Sequence, residues 1–163
     1  ANQTILDFSP SKSLFTKLKE KKDITYLSSD FDGSFTAQYS FDITNIDQPT
    51  EKFDLVVCYH ILEHILEDTK AMSELYRVLK QNGVAIIQTP FKEGDVYEDY
   101  SISSKKDRLK HFGQEDHVRI YSVEALKQRL ENAGFTVEAR SYNESEDNFH
   151  GFKTNETIMI CRK

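Results

Sequence analysis

Residues 53–91 read FDLVVCYHILEHILEDTKAMSELYRVLKQNGVAIIQTPF, and this stretch decides the fold. Asp54 to Cys58 is a short apolar run rich in β-branched residues, and Val84 to Gln88 is another. Unalternating runs of this kind mark strands covered on both faces, so both are expected to be central and parallel. Between them Met72, Leu75, Tyr76 and Leu79 recur at helical spacing, joined by Ala71 and Val78, while Lys70 and Glu74 sit one turn apart on the other side. Asp68 and Thr69 are the expected caps at the helix start, and Gly83 with Asn82 the expected stop. The unit is strand, polar loop, helix, glycine turn, strand, a crossover of right-handed sense. Its polar loop gathers Cys58, Tyr59, His60, Glu63 and His64 directly behind a buried strand, where α/β proteins put ligands.

On the N-terminal side, Thr4 to Phe8 reads as a strand leading into Asp7-Phe8-Ser9-Pro10-Ser11-Lys12-Ser13, a strand-to-helix turn of small residues and proline. Leu14, Phe15 and Leu18 mark a short helix that ends in the basic run Lys19 to Lys22. Ile24 to Ser28 is a second strand stopping at Asp30, and Tyr39 to Ile43 a third. Only about eight residues join these two, fewer than the dozen a helical crossover needs, so a turn or very short helix is expected between them. On the C-terminal side, Lys92 to Ile120 lacks periodicity and reads as a lid or binding element. Ser122 is expected to cap a helix with Val123, Leu126, Leu130 and Ala133 on one face, closed by Gly134. Phe135 to Tyr142 and Thr157 to Cys161 then form an antiparallel hairpin around the polar stretch Asn143 to Lys153. The order of elements is that of a single α/β sheet.

At 163 residues the chain is one domain, 1–163, able to bury a real core. It reaches its first strand within three residues of Ala1, as expected of an excised domain lacking an N-terminal region. A formal charge of −6 disfavours nucleic acid as a partner, because coating phosphates needs an excess of Lys and Arg. Cys58 and Cys161 show no CxxC pattern and read as free thiols of a reducing compartment. No apolar run approaches the ~20 residues that span a bilayer, and no signal-peptide core is visible, so a cytoplasmic location is expected.

FDLVVCYHILEH followed by ELYRVLKQNGVAIIQTP resembles the Leu-Glu-His loop and Leu-Lys-Pro-Gly turn of class I S-adenosylmethionine-dependent methyltransferases, with Gln81-Asn82 in place of Pro. KHFGQEDHVRIY, Lys110 to Tyr121, is similar to a more restricted motif of a bacterial, methyltransferase type 11-like subgroup. The resemblance implies a Rossmann-like, mostly parallel sheet of seven strands in the order 3-2-1-4-5-7-6, the last strand antiparallel, with helices on both faces. It implies S-adenosylmethionine as cofactor and a small-molecule acceptor bearing a hydroxyl or amine, such as a sugar or other metabolite. Asp7 matches the acid that ends the family's first strand, with Phe8, Ser9 and Pro10 after it; Ser9, Ser11 and Ser13 stand where glycines are usual. Asp30, with Phe31 beside it, lies at the spacing from Asp7 at which an acid meets ribose hydroxyls. Asp42 and Ile43 match the adenine contacts, and Cys58 and Tyr59 lie near the methionine moiety.

His60 and His117 are the candidate proton acceptors, with Gln114 and Arg119 as substrate contacts, Arg119 holding an acidic group. His64 is expected to pack beneath the helix. Two other readings stand beside this one. The serine-substituted first loop suits a methyltransferase-like domain that binds without catalysis. HILEH also satisfies the H-x-x-E-H pattern of a zinc hydrolase using His60, Glu63 and His64, although it lies directly behind a strand and lacks a distal acidic ligand. No metal is assigned.

Overall fold

A computed structural model describes residues 2–142 and 155–163. Strand β1 (Gln3–Phe8) leads to α1 (Lys12–Lys19) and β2 (Ile24–Ser29), and β3 (Phe53–Tyr59) to α2 (Asp68–Val78) and β4 (Leu79–Gln88). A small insertion follows, comprising β5 (Tyr97–Glu98), α3 (Lys105–Phe112) and β6 (Arg119–Ile120). Helix α4 (Val123–Asn132), β7 (Thr136–Tyr142) and β8 (Glu156–Arg162) complete the described chain.

Six strands form one sheet in the order β2-β1-β3-β4-β8-β7, and β5 pairs with β6 separately. β1 pairs in parallel with both β2 and β3, and β3 with β4, so the apolar runs read as central strands are central. β8 runs antiparallel to both β4 and β7, the expected terminal hairpin; its polar connection, Asn143 to Lys153, lies outside the described residues. β2 and β4 lie on opposite sides of the β1–β3 pair, so right-handed crossovers put α1 and α2 on opposite faces. α2 and α4 pack side by side, and their apolar stripes close over the sheet through Met72, Leu75, Leu126 and Leu130, all fully buried.

Three local expectations are corrected. The strand expected at Tyr39 to Ile43 is reduced to a single parallel bridge, Ser29 with Tyr39, so among the described residues the sheet has six strands where seven were expected; the remaining order matches. The connection is too short to carry a crossover helix, and it is held instead by Asp30 N–H to Tyr39 O (3.0 Å) and Phe41 N–H to Ser29 Oγ (2.7 Å). Secondly, α2 ends at Val78 with Leu79 already extended, so Asn82 and Gly83 do not stop the helix. They lie inside β4, opposite a register shift between Phe53 and Leu55; a Cβ on Gly83 would sit 2.8 Å from Lys80 O. Thirdly, Asp68 does not cap α2, because its carboxylate is buried against Tyr121 and Arg129, at 2.6 Å from each. Ser122 does cap α4, accepting from Ala125 N–H at 3.2 Å.

No helix among the described residues is long and apolar enough to cross a membrane.

Candidate functional site

The crossovers from β1 and from β3 depart in opposite directions along the sheet, which opens a crevice beyond the C-terminal ends of these neighbouring strands. Asp7 and Phe8 end β1 and are buried, as is Pro10. The Tyr26 hydroxyl donates to Asp7 Oδ2 at 2.8 Å. Burial raises the Asp7 pKa to about 6, an effect the Tyr26 hydrogen bond partly offsets. Ser9 adopts φ 47, a left-handed conformation usual for glycine, so a serine here performs the turn for which the family motif uses glycine. Its N–H donates to Ser29 O at 2.7 Å and its hydroxyl to Asp30 Oδ1 at 2.7 Å, tying the ends of β1 and β2 together. Asp30 Oδ2 accepts from Phe35 N–H at 3.0 Å. Each carboxylate oxygen has two lone pairs, so Asp30 retains acceptor capacity for a ligand's hydroxyls. Next to it, the rings of Phe31 (70 %) and Phe35 (51 %) are exposed.

Further along, the Asp42 carboxylate accepts from both N–H and hydroxyl of Thr44, at 2.8 Å each, and these bonds hold its pKa low. Asp42 is exposed, while Ile43 is buried in the core. At the end of β3, strand alternation sends the Cys58 side chain into the core and leaves Tyr59 41 % exposed. Burial pushes the Cys58 thiol well up, so it is a packing group, and only its backbone reaches the strand end.

His60 follows β3 at φ 54, its N–H bonded to Gln88 O at 2.9 Å. Its Nδ1 lies 3.2 Å from Glu63 Oε1, pairing a half-exposed imidazole with a carboxylate that is 1 % exposed. Leu62–His64 form one turn of 3-10 helix, not the α-helix on which an H-x-x-E-H motif aligns two histidines, so the zinc-hydrolase arrangement of His60, Glu63 and His64 is not built. Among the described residues two buried side-chain oxygens have no hydrogen-bond partner, Glu63 Oε2 and Gln88 Oε1. Gln88 ends β4, and Glu63 stands on the turn after β3. Gln88 escaped the sequence reading, though a polar residue closing an apolar strand was its signal.

The segment Lys92 to Ile120, expected to be a lid or binding element without clear periodicity, carries β5, α3 and β6 and is fastened from inside. Arg119, expected to hold an acidic group of the substrate, is fully buried. Its Nε donates to Glu98 at 2.9 Å, and its two other nitrogens donate to the carbonyls of Leu62 (3.1 Å), Ile65 and Leu66 (3.0 Å). No nitrogen of the guanidinium is left for a ligand; it secures the turn behind β3. Arg129 continues the network to Glu98 and Asp68. His117, expected to accept a proton in the crevice, is 4 % exposed and packs edge-to-face on His64 with centroids 4.6 Å apart. Burial first, and His64 second, hold its pKa below the ordinary histidine range. Gln114 is exposed after the left-handed Gly113 that ends α3.

The donor set at the strand ends fits S-adenosylmethionine. Asp30 has lone pairs for a diol, the Ser9 turn brings backbone close to the crevice, and exposed rings flank the acid.

Comparison with known proteins agrees. A 98-residue match at 30 % identity is found with a probable S-adenosylmethionine-dependent methyltransferase of Mycolicibacterium smegmatis, covering 60 % of this chain and 34 % of that one. An uncharacterised protein of Methanocaldococcus jannaschii is 32 % identical over 74 residues, covering 43 % of this chain and 32 % of that one, so the chain spans about a third of the length of the curated relatives it matches. The structure is similar to that of a SAM-dependent methyltransferase from Archaeoglobus fulgidus, with TM-score 0.69 and 17 % identity over 100 % of this chain and 87 % of that one. It is also similar to the 1,6-didemethyltoxoflavin-N1-methyltransferase of Burkholderia thailandensis, with TM-score 0.65 and 14 % identity over 99 % and 71 % of the two chains. The model of the methyltransferase domain matches residues 1–140, and with its sheet, crevice and strand-end acids this chain belongs to that family.

Proposed function

We propose that this domain transfers a methyl group from S-adenosylmethionine to a hydroxyl or amine of a small molecule held over the ends of β3 and β4. The observation that carries the reading is the Ser9–Asp30 tie, a left-handed turn and an acid joined across the two strand ends that frame the crevice. The sulfonium supplies an electrophilic methyl when the cofactor is bound. The protein's task is then to orient the acceptor, exclude water and take up a proton.

Asp30 binds the ribose hydroxyls by two charge-assisted hydrogen bonds, and Phe31 covers the cofactor from the solvent side. The Ser9 and Pro10 turn approaches the methionine end, with Asp7 beneath it. Asp42 accepts from the adenine amine, and Tyr59 borders the methyl-bearing side. His60 is the proton acceptor, because its half-exposed imidazole follows the end of β3 and the buried Glu63 carboxylate beside its Nδ1 stabilises the imidazolium formed when it takes up a proton. Gln88 Oε1, buried and unpartnered at the neighbouring strand end, receives a donor from the acceptor. Gln114 remains the insertion's candidate substrate contact, while His117, packed against His64, leaves the catalytic set and Arg119, bonded to Glu98 and three carbonyls, leaves the substrate contacts. The acidic chain, at −6, supports a small acceptor over nucleic acid. The Burkholderia relative carries 1,6-didemethyltoxoflavin, a small molecule, on a sheet of the same fold.

Calorimetric titration with S-adenosylmethionine and S-adenosylhomocysteine tests this. Saturable binding is expected, weakened by Asp30→Ala at least tenfold, on the order of the 1.5–3 kcal/mol that hydrogen bonds to a charged group contribute. Absence of heat at millimolar cofactor overturns the reading. Binding with no turnover across hydroxyl and amine acceptors favours the non-catalytic domain.

A further inference from the structure

Behind the crevice, three side chains converge that the transfer reaction does not use together. Glu63 and His64 stand on the 3-10 turn after β3, and His117 on the loop before β6. One ligand-type atom of each lies within 4.8 Å of the other two. Glu63 is 1 % exposed, and its Oε2 has no hydrogen-bond partner although Oε1 serves His60. A buried carboxylate oxygen without a donor is costly, so it points to a cation as its partner.

The histidines are arranged for the same purpose. Nδ1 of His117 lies 3.3 Å from Phe112 O, and Nδ1 of His64 lies 3.2 Å from Asp116 Oδ2. A ring whose Nδ1–H is held by an acceptor presents the lone pair of Nε2, the tautomer that metal-ligating histidines adopt through their outer partners. The backbone is fixed as well, since Val118 N–H donates to Glu63 O at 2.9 Å and joins the two segments beside the cluster.

We propose that Glu63, His64 and His117 bind a divalent transition-metal ion, zinc best suiting two imidazoles and a carboxylate, and that the ion clamps the turn behind β3 to the insertion. Bonds of about 2.0–2.2 Å draw the three ligands in from their present spacing, a contraction that side-chain rotation supplies. His64, whose side chain is 28 % exposed, marks the side by which the ion enters and where a water completes the coordination. The set is distinct from the H-x-x-E-H arrangement, because His60 lies outside it and His117 comes from a different segment. The ion's role is to hold the crevice wall, and no step of methyl transfer passes through it.

The test uses untagged protein stripped with a chelator and titrated with zinc by calorimetry and with cobalt(II) by visible absorption. One saturable site per chain is expected, with the intense cobalt bands of four- or five-coordination and a raised melting temperature on zinc addition. Asp116→Ala, at a side chain 70 % exposed, is expected to keep the fold and weaken zinc binding about 10–100-fold. His117→Ala is expected to weaken it further. His111→Ala, at an exposed histidine bonded to Tyr97, is expected to leave it unchanged. A zinc Kd weaker than about 1 mM, the weak octahedral spectrum of hydrated cobalt, or binding that survives His117→Ala and falls with His111→Ala overturns the proposal. Where His117→Ala fails to fold, the wild-type cobalt spectrum and Asp116→Ala decide alone.

Discussion

Replacing Asp7 by Asn separates the cost of burying an acid from its use at the site. Asp7 is 1 % exposed, and burial raises its pKa from 3.8 to about 6. The folded chain therefore holds the Asp7 proton more tightly than the unfolded chain. Its contribution to stability is fully present below about pH 3.8 and is lost as the pH rises through about 6. At 1.36 kcal/mol per pKa unit, the loss across that window is about 3 kcal/mol. Asn occupies nearly the same volume and still accepts from the Tyr26 hydroxyl, but it has no charge to desolvate. The expected result is that the stability of Asp7→Asn relative to wild type rises by about 3 kcal/mol between roughly pH 3 and pH 7. The chain has no Trp, so urea unfolding of the cofactor-free protein is followed by far-UV circular dichroism. A difference between the two proteins that stays flat across this window would refute the argument, since the carboxyl would then be solvated well enough to titrate normally.

Arg119→Met removes a guanidinium from beneath the turn, leaves Glu98 facing Arg129 alone and takes the arginine's donors away from the carbonyls of Leu62, Ile65 and Leu66. A loss of roughly 3–5 kcal/mol is expected in denaturant melts, and an unchanged midpoint with a raised KM would restore this arginine as a substrate contact. Gly83→Ala forces a Cβ against the carbonyls of Lys80 (2.8 Å) and Phe53 (3.2 Å), backbone atoms that cannot turn aside. It is expected to cost about 1–3 kcal/mol by the same melts, and a neutral effect would show that the bulge in β4 relaxes freely.

The parallel core was legible because apolar runs without alternation leave a strand only one way to be satisfied, with cover on both faces. Asp7 and Asp30 were legible because strand ends and turn residues carry short-range signals. The third strand was misjudged: Tyr39, Phe41 and Ile43 alternate correctly, but the chain between Asp30 and Tyr39 is too short to bring more than one bridge into register. Asn82-Gly83 looked like a helix stop, and Asp68 like a cap, since these residue types serve such roles locally. Distant partners, Phe53 for the first pair and Tyr121 with Arg129 for the second, gave them other work.

The polar insertion marks the division most clearly. Sequence alone determined which residues could ionise, donate or coordinate, because that is a property of each side chain and its near neighbours. Whether Arg119 and His117 meet a ligand or the interior depends on segments more than fifty residues away, whose carbonyls and imidazole they meet only after the sheet has closed. Burial and long-range pairing are properties of the packed chain. Tertiary structure therefore turned one expected substrate-binding arginine into a buried clamp, and one expected catalytic histidine into a partner of Glu63 and His64.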